Sequence, residues 1–192
     1  MADVDEQVHV VAHDPAWAGA GRDLVRAVST ALRGLPVDVA HIGSTAVPGL
    51  DAKPIIDVQV GCPGGETRLA VSRIEALGFE HLGQAGVPGR EYLRRRSGRL
   101  ANVHVVARGG RLWTDNLLFR DYLSSHPAAA DRYAEAKREA ADRAPSLLAY
   151  SALKARAVEQ IMDAARRAGG PRRHSSGDAP ASAAGGDSGE PA

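Results

Sequence analysis

A short polar turn and a single carboxylate are the groups in this chain whose types and spacing are best suited to chemistry. Gly43 and Ser44 close one apolar run, and Asp57 follows inside a second apolar run that begins at Ile55. A glycine lets the backbone approach a bulky ligand, and a serine offers a hydroxyl and an N–H to a phosphate oxygen. An aspartate is a hard oxygen ligand for Mg²⁺. Phosphoryl and nucleotidyl transfer depend mainly on positioning and charge neutralisation, so this combination favours such a reaction.

Two neighbours of Asp57 extend this candidate site. Lys53 lies in the Pro/Gly-rich loop between the two apolar runs, either as a solvated lysine or as a point charge that reaches a phosphate. Gln59 shares a strand face with Asp57, because side chains alternate along a strand. Its carbonyl oxygen is a second metal ligand, but it carries no charge, so we expect one weakly held Mg²⁺ at Asp57 and Gln59. Without a ligand, a buried Asp57 needs an ion pair with Lys53 or an arginine.

This stretch resembles the GrpB family, also called UPF0157, a branch of the nucleotidyltransferase superfamily with the pattern hydrophobic-Gly-Ser, a spacer, and Asp-hydrophobic-Asp/Glu. The resemblance covers roughly residues 8–167. Further segments also fit the family: a histidine-containing strand over 102–106 and a helix over 118–127 that ends in His-Pro. Two Tyr-x-x-x-Lys stretches follow, Tyr133–Lys137 and Tyr150–Lys154. Two positions depart from the family pattern, because Gln59 replaces the second carboxylate and Asn102 replaces the first histidine of a His-x-His strand.

The resemblance implies a nucleotidyltransferase-like activity on a nucleotide or another small phosphorylated molecule. Asp57 and His104 are the expected catalytic residues, His104 as a proton acceptor or metal ligand, although a strand histidine is also a common core residue. Lys137 and Lys154 are either ligand contacts or ordinary surface lysines. The phosphate-binding residues expected from this hypothesis are Gly43, Ser44, Lys53, Arg120, Lys137 and Lys154.

A second hypothesis is a domain that keeps the fold without the chemistry. Gln59 and Asn102 favour it, because each replaces a group that a metal-dependent reaction uses. Members of the family occur fused to dephospho-coenzyme A kinase, so a ligand-binding or accessory role in coenzyme A or nucleotide metabolism is the corresponding version. The sequence leaves both hypotheses open.

The periodicity of apolar residues predicts an α/β fold: a mixed sheet with flanking helices, followed by a C-terminal helical cap. We expect one domain over residues 1–168 and a disordered tail over 169–192, which is rich in Gly, Ser, Pro and Ala. Asp14 and Pro15 are typical of a helix start. The predicted strands are 37–42, 55–60, 79–82, 91–96 and 100–106, and the predicted helices are 14–34, 66–77, 112–125, 127–142 and 146–168.

Composition excludes several classes of protein. The net charge of +1 gives no basic surface for nucleic acid, and the basic run over residues 90–99 is either a solvated hairpin or a contact to an anionic ligand. Cys62 is the sole cysteine, so no disulfide forms within the chain. No apolar stretch is long enough to span a membrane and the N-terminal residues lack a signal core. We therefore expect a cytoplasmic protein without nucleic-acid or membrane partners; its oligomeric state is not predicted.

Overall fold

The computed structural model describes residues 9–143 and 147–169, so the predicted tail beyond Gly169 lies outside the described residues. The helices of these ranges are α1 (Ala16–Ala31), α2 (Thr67–Glu75), α3 (Arg111–Ser125), α4 (Pro127–Arg143) and α5 (Leu147–Arg167). The strands are β1 (Asp38–Ile42), β2 (Ile56–Cys62), β3 (Glu80–His81), β4 (Arg90–Arg95) and β5 (Ala101–Ala107). The elements follow the predicted order, and their bounds differ from the predicted ones by a few residues.

The five strands form one sheet in the order β1-β2-β5-β4-β3, in which only the β2–β5 pair is parallel. Asp57 pairs with Ile42 on one side and Asn102 on the other, and His104 pairs with both Gln59 and Tyr92. Directly paired residues point to the same face of a sheet. The register therefore places Asp57, Asn102 and His104 side by side on one face, which we call the site face.

The opposite face of the sheet carries the main hydrophobic core. Val58, Val60, Val103 and Val105 are buried there against α1 and α2. The site face is covered by the C-terminal helices, which bury a second apolar cluster around Val47, Leu50, Leu123 and Tyr133. This cover is incomplete, and the space that remains between the site face and the helices is a cavity.

The first helix begins as the sequence predicts. The Asp14 carboxylate accepts a hydrogen bond from the Ala16 N–H at 2.8 Å, and Pro15 precedes the first helical residue. Gly21 of this helix faces His41 of β1, whose ring nitrogen Nε2 lies 3.0 Å from Thr45 Oγ1. His41 thus lies between α1 and the turn that follows β1.

Replacement of Gly21 by alanine is expected to destabilise the protein by about 1–3 kcal/mol, because the new Cβ would lie 2.1 Å from His41 Nδ1. Gly19 in the same helix is the matched control: a Cβ there would lie 3.8 Å from Arg22 Nη2, at ordinary contact distance from a flexible side chain. Since alanine is the better helix former, Gly19→Ala should stabilise by up to about 1 kcal/mol. Urea unfolding of the two variants measures both effects, and equal midpoints would contradict the contact between α1 and His41.

Candidate functional site

Asp57 is held on the site face by two side chains of β5. Asn102 Nδ2 donates to Asp57 Oδ1 at 2.7 Å, and His104 Nε2 lies 3.2 Å from the same oxygen. The Asn102 amide is itself oriented, because its Oδ1 accepts from Tyr92 Oη at 2.8 Å and from Arg96 Nη1 at 3.0 Å. The side chain of Asp57 remains 26% exposed. The carboxylate is thus fixed in position and still open on one side.

The environment keeps Asp57 ionised at neutral pH. Burial raises its pKa, but the hydrogen bond and charge of His104, the Asn102 hydrogen bond and the charge of Lys53 outweigh burial and lower the pKa to about 2. An ionised carboxylate with an open side is the form that binds a metal ion or a cationic group.

The turn before Asp57 approaches the carboxylate itself. Gly43 has a φ of 72°, and a Cβ at this position would lie 3.0 Å from Asp57 Oδ2. Glycine is required there by both the left-handed backbone and the nearby carboxylate. Ser44 begins a short 3₁₀ turn, and its side chain is hydrogen-bonded to that of Tyr133 on α4. The turn therefore joins the sheet to the helical cap at the position of Asp57.

A cavity of about 730 Å³ lies between the site face and α3, α4 and α5. The predicted site residues on its wall are Gly43, Ser44, Lys53, Asp57, His104, Lys137 and Lys154. The polar turn and the strand acid thus converge on one space, although they are separated in sequence. The roles of these residues stay predictions, which are developed below.

Three lysines and two tyrosines form one end of this wall. Tyr133 and Lys137 are four residues apart on α4, so they share a helix face, and the amine lies 4.8 Å from the ring centroid. Tyr150 and Lys154 repeat this arrangement on α5, also at 4.8 Å. Lys53 approaches the Tyr150 ring from the loop before β2, at 5.9 Å. A cation over an aromatic face is attracted by the electrons of the ring, so the two tyrosines help to hold the three amines at this end of the wall.

Burial and mutual repulsion change the titration of two of these amines. Burial lowers the pKa of Lys137 to about 7, with the charges of Lys154 and Arg138 acting in the same direction and Asp51 opposing them. Burial also lowers the pKa of Lys154 to about 8, with Lys53 acting in the same direction and Asp57 against it. Both amines therefore gain or lose a proton close to neutral pH.

Arg120 does not belong to the cavity wall, contrary to its predicted role in phosphate binding. Its Nη1 donates to the His41 carbonyl at 3.0 Å, and its Nη2 lies 2.6 Å from Asp121 Oδ1. The long arginine side chain thus reaches the next residue of the same helix. Arg120 connects α3 to β1, and we leave it out of the site.

Gln59 is also engaged by the protein, and the structure removes it from the predicted metal site. Its side chain is fully buried; its Nε2 donates to the Trp113 carbonyl at 3.2 Å, and its Oε1 accepts from Asn116 Nδ2 at 2.9 Å. Both ends of the amide hold α3 on the sheet. This leaves Asp57 as the sole carboxylate of β2 that faces the cavity.

Sequence reasoning did not single out Arg90. It lies on the cavity wall with its guanidinium 4.9 Å from the Tyr92 ring centroid, and its Nη2 donates to the carbonyls of Gln84 and Ala85 at 3.2 and 2.9 Å. Arg94, in the same basic run, instead pairs with Glu80 at 2.9 Å. The alternation of side chains along β4 shows from sequence that Arg90 and Tyr92 share one face of that strand. Only the pairing of β4 with β5 shows that this face is the site face.

The donor set around Asp57 fits one divalent ion completed by ligand oxygens. Among the described residues no three His, Cys, Asp or Glu side chains come together as a metal cluster. Asp57 supplies one carboxylate, and Mg²⁺ commonly takes only one or two carboxylates and completes its coordination with water and phosphate oxygens. Over the same residues, none of the helices has the length and apolar character needed to cross a membrane.

Comparison with known proteins gives several matches. A curated relative is the UPF0157 protein PA4798 of Pseudomonas aeruginosa, which is 37% identical over 150 residues, 74% of this chain and 60% of that protein. A protein named dephospho-CoA kinase from Mycolicibacterium paratuberculosis is 31% identical over 189 residues, 84% of this chain and 46% of that protein. The chain thus spans about half to three fifths of the length of these two relatives.

A solved structure, that of conserved protein GrpB from Enterococcus faecalis, has a TM-score of 0.75 at 32% identity and covers 83% of this chain and 98% of that one. The mixed, nucleotidyltransferase-like α/β fold expected from the sequence is confirmed. The family described as GrpB protein matches residues 7–164. The chain therefore belongs to the GrpB family.

Proposed function

We propose that this protein binds a nucleotide or another small phosphorylated molecule in the cavity on the site face. The observation that carries the proposal is the convergence of Lys53, Lys137 and Lys154 on one cavity that also holds the ionised Asp57. Three amines and Arg90 against two carboxylates, Asp57 and Asp115, give the wall an excess of positive charge, which suits a phosphate group. A small molecule is favoured over nucleic acid because the whole chain has a net charge of only +1. The cytoplasmic location expected from the sequence belongs to the same proposal.

The proposal includes one weakly held Mg²⁺ and a transfer reaction. Asp57 would hold the ion together with phosphate oxygens of the ligand, and a bound Mg²⁺ supplies neutralisation of phosphate charge. The lysines bind the remaining phosphate oxygens and stabilise negative charge that develops on them. His104, whose Nε2 is hydrogen-bonded to Asp57 and which lies on the cavity wall, would accept a proton from an attacking hydroxyl at its other ring nitrogen.

Binding without transfer is the second candidate, and the environment of β2 favours it. Gln59 occupies the position of the second carboxylate, and its amide is hydrogen-bonded to α3. Strand β2 therefore offers a metal ion no second ligand beside Asp57. Since one similar protein is named dephospho-CoA kinase, a coenzyme A precursor is one of the ligands to test. Ligand binding without release of pyrophosphate or phosphate supports this candidate over the transferase.

Calorimetric titration with ATP, CTP, GTP, dephospho-coenzyme A and inorganic triphosphate, each with and without Mg²⁺, tests the proposal. Wild-type protein should bind at least one of them, and Lys154→Met should bind it about tenfold more weakly or worse, because a charged hydrogen bond is lost. Arg26→Met is the matched control, since Arg26 is an exposed cation of α1 that pairs with Asp23. Absence of binding to every phosphorylated probe, or an equal loss in both variants, would refute the proposal.

A further inference from the structure

The distribution of lysine in this chain differs from that of arginine. The sequence contains 3 lysines and 21 arginines, and all three lysines lie on the wall of one cavity. Arginine supplies a permanent positive charge and more hydrogen-bond donors than lysine, so charge alone does not require lysine at these positions. A lysine differs because it can lose its proton, and its neutral amine is a nucleophile. This distribution indicates a cavity that uses amine chemistry.

Of the three amines, that of Lys154 is placed best to react. Lys137 is 1% exposed and its amine donates to the Asp51 carbonyl, which fixes it against the loop before β2. Lys154 is partly exposed, lies on the cavity wall and rests on the Tyr150 ring. Among the described residues, the Lys154 amine has no hydrogen-bond or ion-pair partner that would restrict its approach to a ligand in the cavity.

The surroundings of Lys154 favour the neutral amine. The groups that face it are the cation Lys53, on the loop before β2, the amine of Lys137, on α4, the Asp57 carboxylate and the neutral phenol of Tyr150. With a pKa of about 8, roughly a tenth of this amine is unprotonated at pH 7, about 300-fold more than for a lysine of ordinary pKa. Burial beside other cations is a recognised way to activate a lysine nucleophile.

We propose that Lys154 is a reactive amine that forms a reversible imine with phosphorylated aldehydes or ketones, whose phosphate is bound by Lys53 and Lys137. The amine lone pair attacks the carbonyl carbon, a proton passes from nitrogen to the oxygen, and the resulting carbinolamine loses water to leave a C=N bond. Hydrolysis reverses the step, and no electrons are exchanged with another reactant. The phosphate part of this inference rests on the proposed function, whereas the carbonyl chemistry goes beyond it.

Pyridoxal 5′-phosphate, a phosphorylated aldehyde, is the probe. The protein is incubated with it near pH 7.5, the imine is reduced with borohydride, and the labelled peptide is identified by mass spectrometry. We expect most of the label at Lys154, at least about tenfold more than at Lys53. Pyridoxal without the phosphate should label Lys154 more slowly, and inorganic triphosphate should protect it. Label spread evenly over the lysines, label confined to the N-terminal amine, or no label would overturn the inference.

Two variants separate the amine from its charge. Lys154→Arg keeps the charge and Lys154→Met does not, so triphosphate affinity should fall less in the arginine variant, while labelling at this position is lost in both. If the total label on the Lys154→Arg variant equals that on the wild-type protein, Lys154 has no special reactivity and the inference is wrong. Labelling of wild-type Lys154 without protection by triphosphate would leave the amine chemistry intact and count against the phosphate site, so the two proposals fail separately.

Discussion

Replacement of Asp57 by asparagine is expected to abolish the Mg²⁺ dependence of ligand binding and to reduce any transfer reaction by at least about 100-fold. Asparagine has nearly the same shape and can still accept the Asn102 hydrogen bond, but it brings no negative charge to a divalent ion. The carboxylate is ionised at neutral pH, since its pKa is about 2, so the charge that is removed is a full one. Titration of the ligand into the variant with and without Mg²⁺ measures the effect directly.

Asp115→Asn is the matched control for this experiment. Asp115 also lines the cavity, but its carboxylate lies 3.1 Å from Arg166 Nη2 and 3.3 Å from Arg111 Nε. We expect the Mg²⁺ dependence to persist in that variant, and both variants to unfold near the wild-type urea concentration. Equal affinities of wild type and Asp57→Asn for the ligand in Mg²⁺ would rule out Asp57 as the metal ligand.

Affinity for a phosphorylated ligand is expected to fall steeply from pH 7 to pH 9. An anion binds the protonated amines, and Lys137 and Lys154, with pKa values of about 7 and about 8, lose their protons over this range. If the complex requires both protons, the loss is about 500-fold; if it requires only that of Lys154, about tenfold. The phosphate itself does not produce this trend, because its second pKa is near 6 and its charge is complete above pH 7.

Calorimetry at several pH values, with inorganic triphosphate as the probe, measures this dependence. Lys154→Met should show a shallower decline, because only one of the two titrating amines remains. Lys137 and Lys154 do not destabilise the unliganded protein over this range. At these two residues the unfolded chain binds more protons than the folded one between pH 7 and 10, so their contribution to the free energy of unfolding rises with pH. A constant or rising affinity from pH 7 to pH 9 would show that neither amine contacts the phosphate.

The regular elements could be predicted because their signals are local. Alternating apolar residues marked β2 and β5, helical spacing marked α1, and Asp14 with Pro15 marked its start. Among the short elements, β3 contains only Glu80 and His81 of the predicted 79–82, and a 3₁₀ turn over Gly64–Glu66 precedes α2. Short elements depend on pairing and packing more than on their own sequence, so local patterns define them poorly.

The candidate site was predicted in composition and only partly in arrangement. Gly43, Ser44 and Asp57 meet on one cavity wall, because the pairing of β1 with β2 brings the turn after β1 beside Asp57. Arg120 and Gln59 have the right chemistry for a phosphate and a metal, but each is engaged by another element of the fold. The basic run that begins at Arg90 was left either as a solvated hairpin or as a contact to an anionic ligand, and the register of β4 places Arg90 at the cavity.

By itself, the sequence determined which groups exist and which face of its own strand or helix each one occupies, because these depend on residue type and short-range periodicity. Its motifs also indicated the family to which the chain belongs. The tertiary structure decided which polar groups are left for a ligand and which amines lose their proton near neutral pH. The physical reason is that both properties depend on burial and on charges brought from distant parts of the chain. Lys53, Lys137 and Lys154 come from a loop and two helices, and burial, together with the charges that meet there, lowers the pKa of the last two.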